Sequence, residues 1–155
     1  MHSKIAHLST EEQLLIHDAP LLVTALLAGA DGDFKQSEIK QAVKIIHIKT
    51  YSESKDVRGV YKDIDGHSEE MIDDLIHTLP HVPLERTNIL KAKLSGLNHI
   101  FPKLDHAFAV DLFKSLRELA YYVSKAHDGG VGIGYHNEQE KHLVHLDFLH
   151  EPKHG

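Results

Sequence analysis

The sequence contains no cysteine. Disulfides, thiolate metal sites and cysteine nucleophiles are therefore excluded, and the composition suits a reducing compartment. Surplus positive charge is also missing. Seventeen lysines and arginines stand against 23 aspartates and glutamates, a net charge of −6 with histidine neutral. Non-specific binding to nucleic acid or anionic lipid needs the opposite balance. No apolar run reaches the roughly 20 residues that cross a bilayer, and residues 19–30 come nearest. Within them, residues 21–28 and Ala28-Gly29-Ala30 imitate a secretion signal. The preceding region carries Glu11, Glu12 and Asp18 against Lys4, where a signal opens with a short cationic segment. The stretch reads instead as a buried helix of a cytoplasmic protein without direct membrane insertion.

Several catalytic patterns are absent too. No serine sits in a recognisable elbow. Residues 129–134 do not spell GxGxxG, and no strand precedes them. The internal Glu-x-x-His pairs of a di-iron bundle are missing, because the one instance joins Glu151 to His154 in the tail. His150-Glu151-Pro152-Lys153-His154 fits the HExxH pattern of zinc proteases. That chemistry needs both histidines on one helical turn, and Pro152 breaks it.

What remains is a 155-residue chain, 41% apolar and 26% charged, enough for one domain with a core. The 15 histidines stand out. Protonating all of them carries the net charge from −6 to +9, one unit per histidine, mostly around the usual histidine pKa of about 6.5.

The hydrophobic pattern is helical throughout, with no alternating strand. Ser9-Thr10-Glu11-Glu12 forms a capping box that starts a helix near Thr10. Asp18-Ala19-Pro20 is expected to restart it, with Leu22, Leu26 and Leu27 facing a core. Ile39, Val43 and Ile46 mark a second helix, and residues 53–63 read as a short helix or loop. Ser68 caps a helix running to about Leu79, which Pro80 and Pro83 end. Leu90, Leu94, Leu97 and Phe101 mark the next, ending before Pro102. Ala109, Leu112, Phe113, Leu116, Leu119 or Ala120, and Val123 form the longest stripe, closed by Asp128-Gly129-Gly130. Asn137 caps a last helix with Glu140 reaching back. The expectation is an all-α bundle of six to eight helices in a single domain, residues 1–155, with frayed ends at 1–8 and 150–155.

One loop carries candidate chemistry. Asp31-Gly32-Asp33-Phe34-Lys35-Gln36-Ser37-Glu38 matches the second half of an EF-hand loop. Gly32 permits the sharp turn, Phe34 anchors the loop in the core, and Glu38 offers carboxylate oxygens from the new helix. The first half is missing, since Leu27 and Gly29 stand where aspartates belong. Asp31, the Asp33 carbonyl and Glu38 supply about three or four oxygens, and Ca²⁺ takes about six to eight. Plain turn-and-cap chemistry explains the same residues: Asp33 caps with Gln36 as box partner, and Glu38 favours the positive helix end. A second segment has the same logic, with an apolar helix, Asp128-Gly129, an apolar anchor, and Glu140 in the first turn of a helix. Two such loops could pool Asp31, Glu38, Asp128 and Glu140 around one ion.

Two stretches together resemble the tellurite-resistance TerB-like family. The first is Ala30-Asp31-Gly32-Asp33-Phe34 with Glu38, after the small-residue helix at 21–29. The second is Ala120-Tyr121-Tyr122-Val123-Ser124-Lys125-Ala126, then the glycine-rich loop at 129–134 and Glu140. The resemblance covers most of the chain, though residues 50–100 contribute little. It implies an all-helical bacterial cytoplasmic protein without known catalysis, associated with tellurite and stress resistance. It further implies a divalent cation, Ca²⁺ or Mg²⁺, at the acidic residues of the paired loops, and a protein partner. Asp31 and Glu38 match well, Asp33 lies in the loop, Glu140 matches by position, and Asp128 falls in an expanded loop. Lys35 replaces a small polar cap.

The alternative is a metal-dependent hydrolase or a Zn, Ni or Fe histidine–carboxylate protein. Its residues would be Glu138, His142 and His145, which share one helix face. Asp73, Asp74 and His77 read as a solvated acidic face.

Overall fold

The computed structural model describes residues 3–30, 32–126 and 138–152, the last range without the side chains of 138–140. Among the described residues every regular element is helical. The order is α1 (Thr10–Ala28), α2 (Gln36–Ser52), α3 (Lys55–Lys62), α4 (Ser68–His77), α5 (Pro83–Ser95), the single-turn α6 (Leu97–Ile100), α7 (His106–Lys125) and α8 (Glu138–His145). Short 3-10 turns occupy Ser3–Ile5 and Phe101–Lys103. The expected all-α bundle is present, and no helix among the described residues is long and apolar enough to cross a membrane.

α1 is the axis. Residues 19–28 are all buried, because that half of the helix is apolar all round and has to be enclosed. α7, α5, α4 and α2 pack around it. The capping box at Ser9 and Glu12 forms as expected. The expected restart at Pro20 does not occur, and one helix runs through it. Proline inside a helix costs about 3 kcal/mol, and enclosure on four sides outweighs that. Thr24, the one polar side chain in the buried half, donates its hydroxyl to the Pro20 carbonyl at 2.9 Å.

Other boundaries move for local reasons. α2 is capped by the backbone at Lys35, with no side-chain capping bond to the helix, and not by Asp33 with Gln36. The Lys35 amide is drawn to the Ala28 carbonyl at 3.3 Å, so the chain stays extended for two residues past Asp33. Ser68 is the buried first residue of α4 and His67 is its cap. Pro83 opens α5 at a position where its missing N–H costs nothing. The stripe Leu90, Leu94, Leu97, Phe101 is buried as expected but divides at Gly96 between α5 and α6. A Cβ on Gly96 would sit 2.9 Å from Leu15 Cδ2, so α1 and this bend pack closely, and a larger residue would require Leu15 to shift. Residues 53–63 do hold a helix, α3, which buries Val57, Val60 and Tyr61. The α7 stripe is buried throughout.

A polar network lies among α2, α3 and α7. Lys49 is only 5% exposed, and its ammonium donates to Glu53 Oε1 at 2.6 Å and Glu118 Oε1 at 2.8 Å. Ser115 donates to the same Glu53 oxygen at 2.5 Å. A hydroxyl has one proton, so the Tyr61 hydroxyl, 2.8 Å away, donates to Ser115. Burial pushes the Tyr61 phenol well above its ordinary range, which keeps that proton in place. Removing the cation would leave a mostly buried carboxylate uncompensated. Lys49→Met is expected to cost about 3 kcal/mol in urea unfolding. Glu118→Ala, at an exposed partner, should cost under about 1 kcal/mol. Equal effects would contradict this account of the network.

Candidate cation site at the paired loops

The first loop hangs from the enclosed end of α1. A helix C-terminus leaves carbonyls without intrahelical donors, and no water reaches a buried one. The donor comes from α5. Arg86 is 4% exposed. It donates Nη2–H to the Gly29 carbonyl at 2.9 Å and Nη1–H to the His81 carbonyl at 2.9 Å. Its guanidinium also lies 4.5 Å from the centre of the Phe34 ring, a cation–π contact. Burial lowers the Arg86 pKa, and the negative charge of Asp33 pulls it back up. Gly29 has to be glycine, because a Cβ there would meet Phe34 Cε1 at 2.6 Å and Arg86 Nε at 3.0 Å. Gly32 has φ +142°, the turn conformation expected of it. Phe34 packs against the core as expected.

Glu38 follows in the first turn of α2 and is 3% exposed. Asp33 is exposed. The neighbouring Ser37 hydroxyl donates to the Ala126 carbonyl at 3.0 Å. Ala126 closes α7, two residues before Asp128. The described flanks of the two loops therefore meet, with Glu38 one residue from the contact. Asp31 and Asp128 lie outside the described residues. Glu140 lies in α8, which packs on α7 and α1, with its side chain outside them. Among the described residues no group of three or more histidines, aspartates or glutamates is placed to hold a metal.

The donors can be weighed for a hard cation. Glu38 fits, being a carboxylate in a dry wall at the positive end of a helix. The Gly29 carbonyl is already taken by Arg86, and Asp33 works partly against the Arg86 charge. Any further oxygens would come from Asp31, Asp128, Glu140 or water.

The other histidine groups engage locally. His142 Nδ1 lies 2.7 Å from Asp147 Oδ2. His145 is half-buried, with Nδ1 3.4 Å from Arg117 Nη2. His77 meets the Asp73 carbonyl at 2.7 Å on an exposed face. The backbone at 150–152 is not helical, and the His150 amide donates to Asn98 Oδ1 at 2.7 Å.

Arg86 is the residue that sequence reasoning missed. One signal was available. Arg86, Leu90 and Leu94 fall on one helical stripe, and an arginine on a buried stripe needs acceptors at its tip.

No family model matches the chain, and neither a curated protein nor a solved structure matches it significantly.

Arg86→Met would leave the His81 carbonyl without the Arg86 donor and the buried Gly29 carbonyl with only the Gly32 amide at 3.3 Å. Hydrogen bonds to a charged donor are worth about 1.5–3 kcal/mol each. A fall in stability of at least about 2 kcal/mol is expected, with little rescue by Arg86→Lys, because one ammonium cannot reproduce the planar fork. Full rescue by lysine in urea unfolding would contradict the geometry.

Proposed function

We propose that this chain is a non-enzymatic helical module of the tellurite-resistance, TerB-like type. In this reading it binds one divalent cation, Ca²⁺ or Mg²⁺, between its paired loops in a bacterial cytoplasm, and it engages a protein partner. The observation that carries the reading is the Ser37–Ala126 hydrogen bond beside the buried Glu38. Two acidic loops, each short of a full shell, have adjoining flanks, and the best-matched carboxylate of the first is withdrawn from water at that junction. Glu38, Asp31, Asp128 and Glu140 would supply the anionic oxygens. The cation would contribute charge neutralisation between the loops.

Arg86 favours a second reading, in which the protein supplies its own cation. The guanidinium then organises the first loop alone, and the carboxylates serve as turn and helix-end residues.

Thermal melts separate the two. A ligand that binds only the native state at 100 times its Kd adds about 2.7 kcal/mol, or roughly 5–10 °C in a chain of this size. Ca²⁺ or Mg²⁺ should raise Tm by that order relative to EDTA, and Glu38→Gln should lose the shift. A wild-type Tm indifferent to both ions and to EDTA would sink the cation reading and leave the guanidinium one.

A further inference from the structure

A cleft of about 900 Å³ opens between α1, α4 and α5. It lies along α1 from Glu11 to Leu22, ahead of the first acidic loop. Leu14, Leu21, Met71 and Leu75 give it an apolar lining, and Leu14 is 51% exposed. Glu11, Asp18 and Asp74 also line it, and Lys93 is the one lysine or arginine among its described lining residues. Glu11, Leu14, Asp18 and Leu21 repeat at helical spacing, so they share one face of α1. Met71, Asp74, Leu75 and Thr78 do the same on α4 and the turn after it. The lining on α1 runs from Glu11 to Leu22, about 16 Å of helix or three turns. That is an elongated apolar trough between two helices, with acids among its walls.

We propose that this cleft is the docking groove for a basic amphipathic helix of a partner protein. Apolar residues at i, i+3, i+4 and i+7 would fill the trough, and flanking lysines or arginines would meet Glu11, Asp18 and Asp74. Charge complementarity selects this occupant over a second copy of the chain. A symmetric dimer would place the same three acids against themselves, on a molecule already carrying −6.

The inference rests on the partner half of the proposed function and not on its cation half. The test is therefore run on the full chain in EDTA, so failure of the cation site leaves it untouched. The probes are a short fluorescent Leu/Lys peptide with leucines at i, i+3, i+4 and i+7, and a Leu/Glu peptide of the same pattern. Anisotropy is read at about pH 8.5, well above the usual histidine range, because the hydrogen bond to Asp18 at 2.9 Å raises the pKa of His17.

The Leu/Lys peptide should bind saturably at one site, and the Leu/Glu peptide on the order of tenfold more weakly or not at all. Leu14→Ser, a change at an exposed position, should weaken binding several-fold while the melting curve stays put. Asp18→Lys with Asp74→Lys should reverse the preference between peptides. Leu84→Ser, equally exposed but outside the cleft, should change nothing. Equal affinity for both peptides, indifference to Leu14→Ser, or an equal loss with Leu84→Ser would overturn the proposal. A dimer in sedimentation that Leu14→Ser dissolves would overturn it in favour of a second copy.

Discussion

The hydrogen bond from Arg86 to the Gly29 carbonyl is the contact on which the candidate site depends. α1 is apolar on every side over its second half, so burial drives it into the centre of the bundle. Burial then creates a problem at its end, where carbonyls lose water and have no helical donor. A guanidinium solves it, because it carries several N–H groups in one plane and a charge that suits the negative end of a helix. The same group holds the His81 carbonyl and lies on Phe34. The enclosed helix end, the α4–α5 connection and the first acidic loop are thereby tied to one side chain. Gly29 is constrained for the same reason, as any Cβ would displace Phe34 or Arg86.

The described flank of the second loop, at Ala126, is brought near Glu38 by a different device. α2 and α7 run antiparallel, and polar contacts pin their register at both ends. Lys49 meets Glu118 at one end, and Ser37 meets Ala126 at the other. Apolar packing alone tolerates small slips along a helix pair. Two directional contacts spaced along the pair do not. The Ser37 contact sets the end of α7 beside Glu38, and this is what makes a shared cation a physical proposal.

Much of the fold was legible from periodicity. The stripe from Ala109 to Val123 and the Ser9–Glu12 box are found where the pattern places them, and Gly32 and Phe34 do the work expected of them. The misreadings share a cause. Pro20, Asp33 and Ser68 are local signals, and contacts made elsewhere in the fold decided their outcome. Pro20 was overridden by enclosure, the Asp33 cap by the pull of Ala28 on the Lys35 amide, and Ser68 by burial. Arg86 belongs to a long-range contact between α5 and the end of α1, and local spacing carries no record of such a partner. Of the candidate ligands, Glu38 and Asp33 are described in full, and Glu38 is buried at the junction whereas Asp33 is exposed.

The central claim is that one ion joins both loops through Glu38. Titrating Ca²⁺ or Mg²⁺ into isotope-labelled protein and following backbone amides tests it most directly. Amides of Gly32 and of residues 129–134 should shift together, saturate at one equivalent with a single Kd, and stay still in Glu38→Gln. Shifts confined to one loop, or separate saturation of the two, would contradict it.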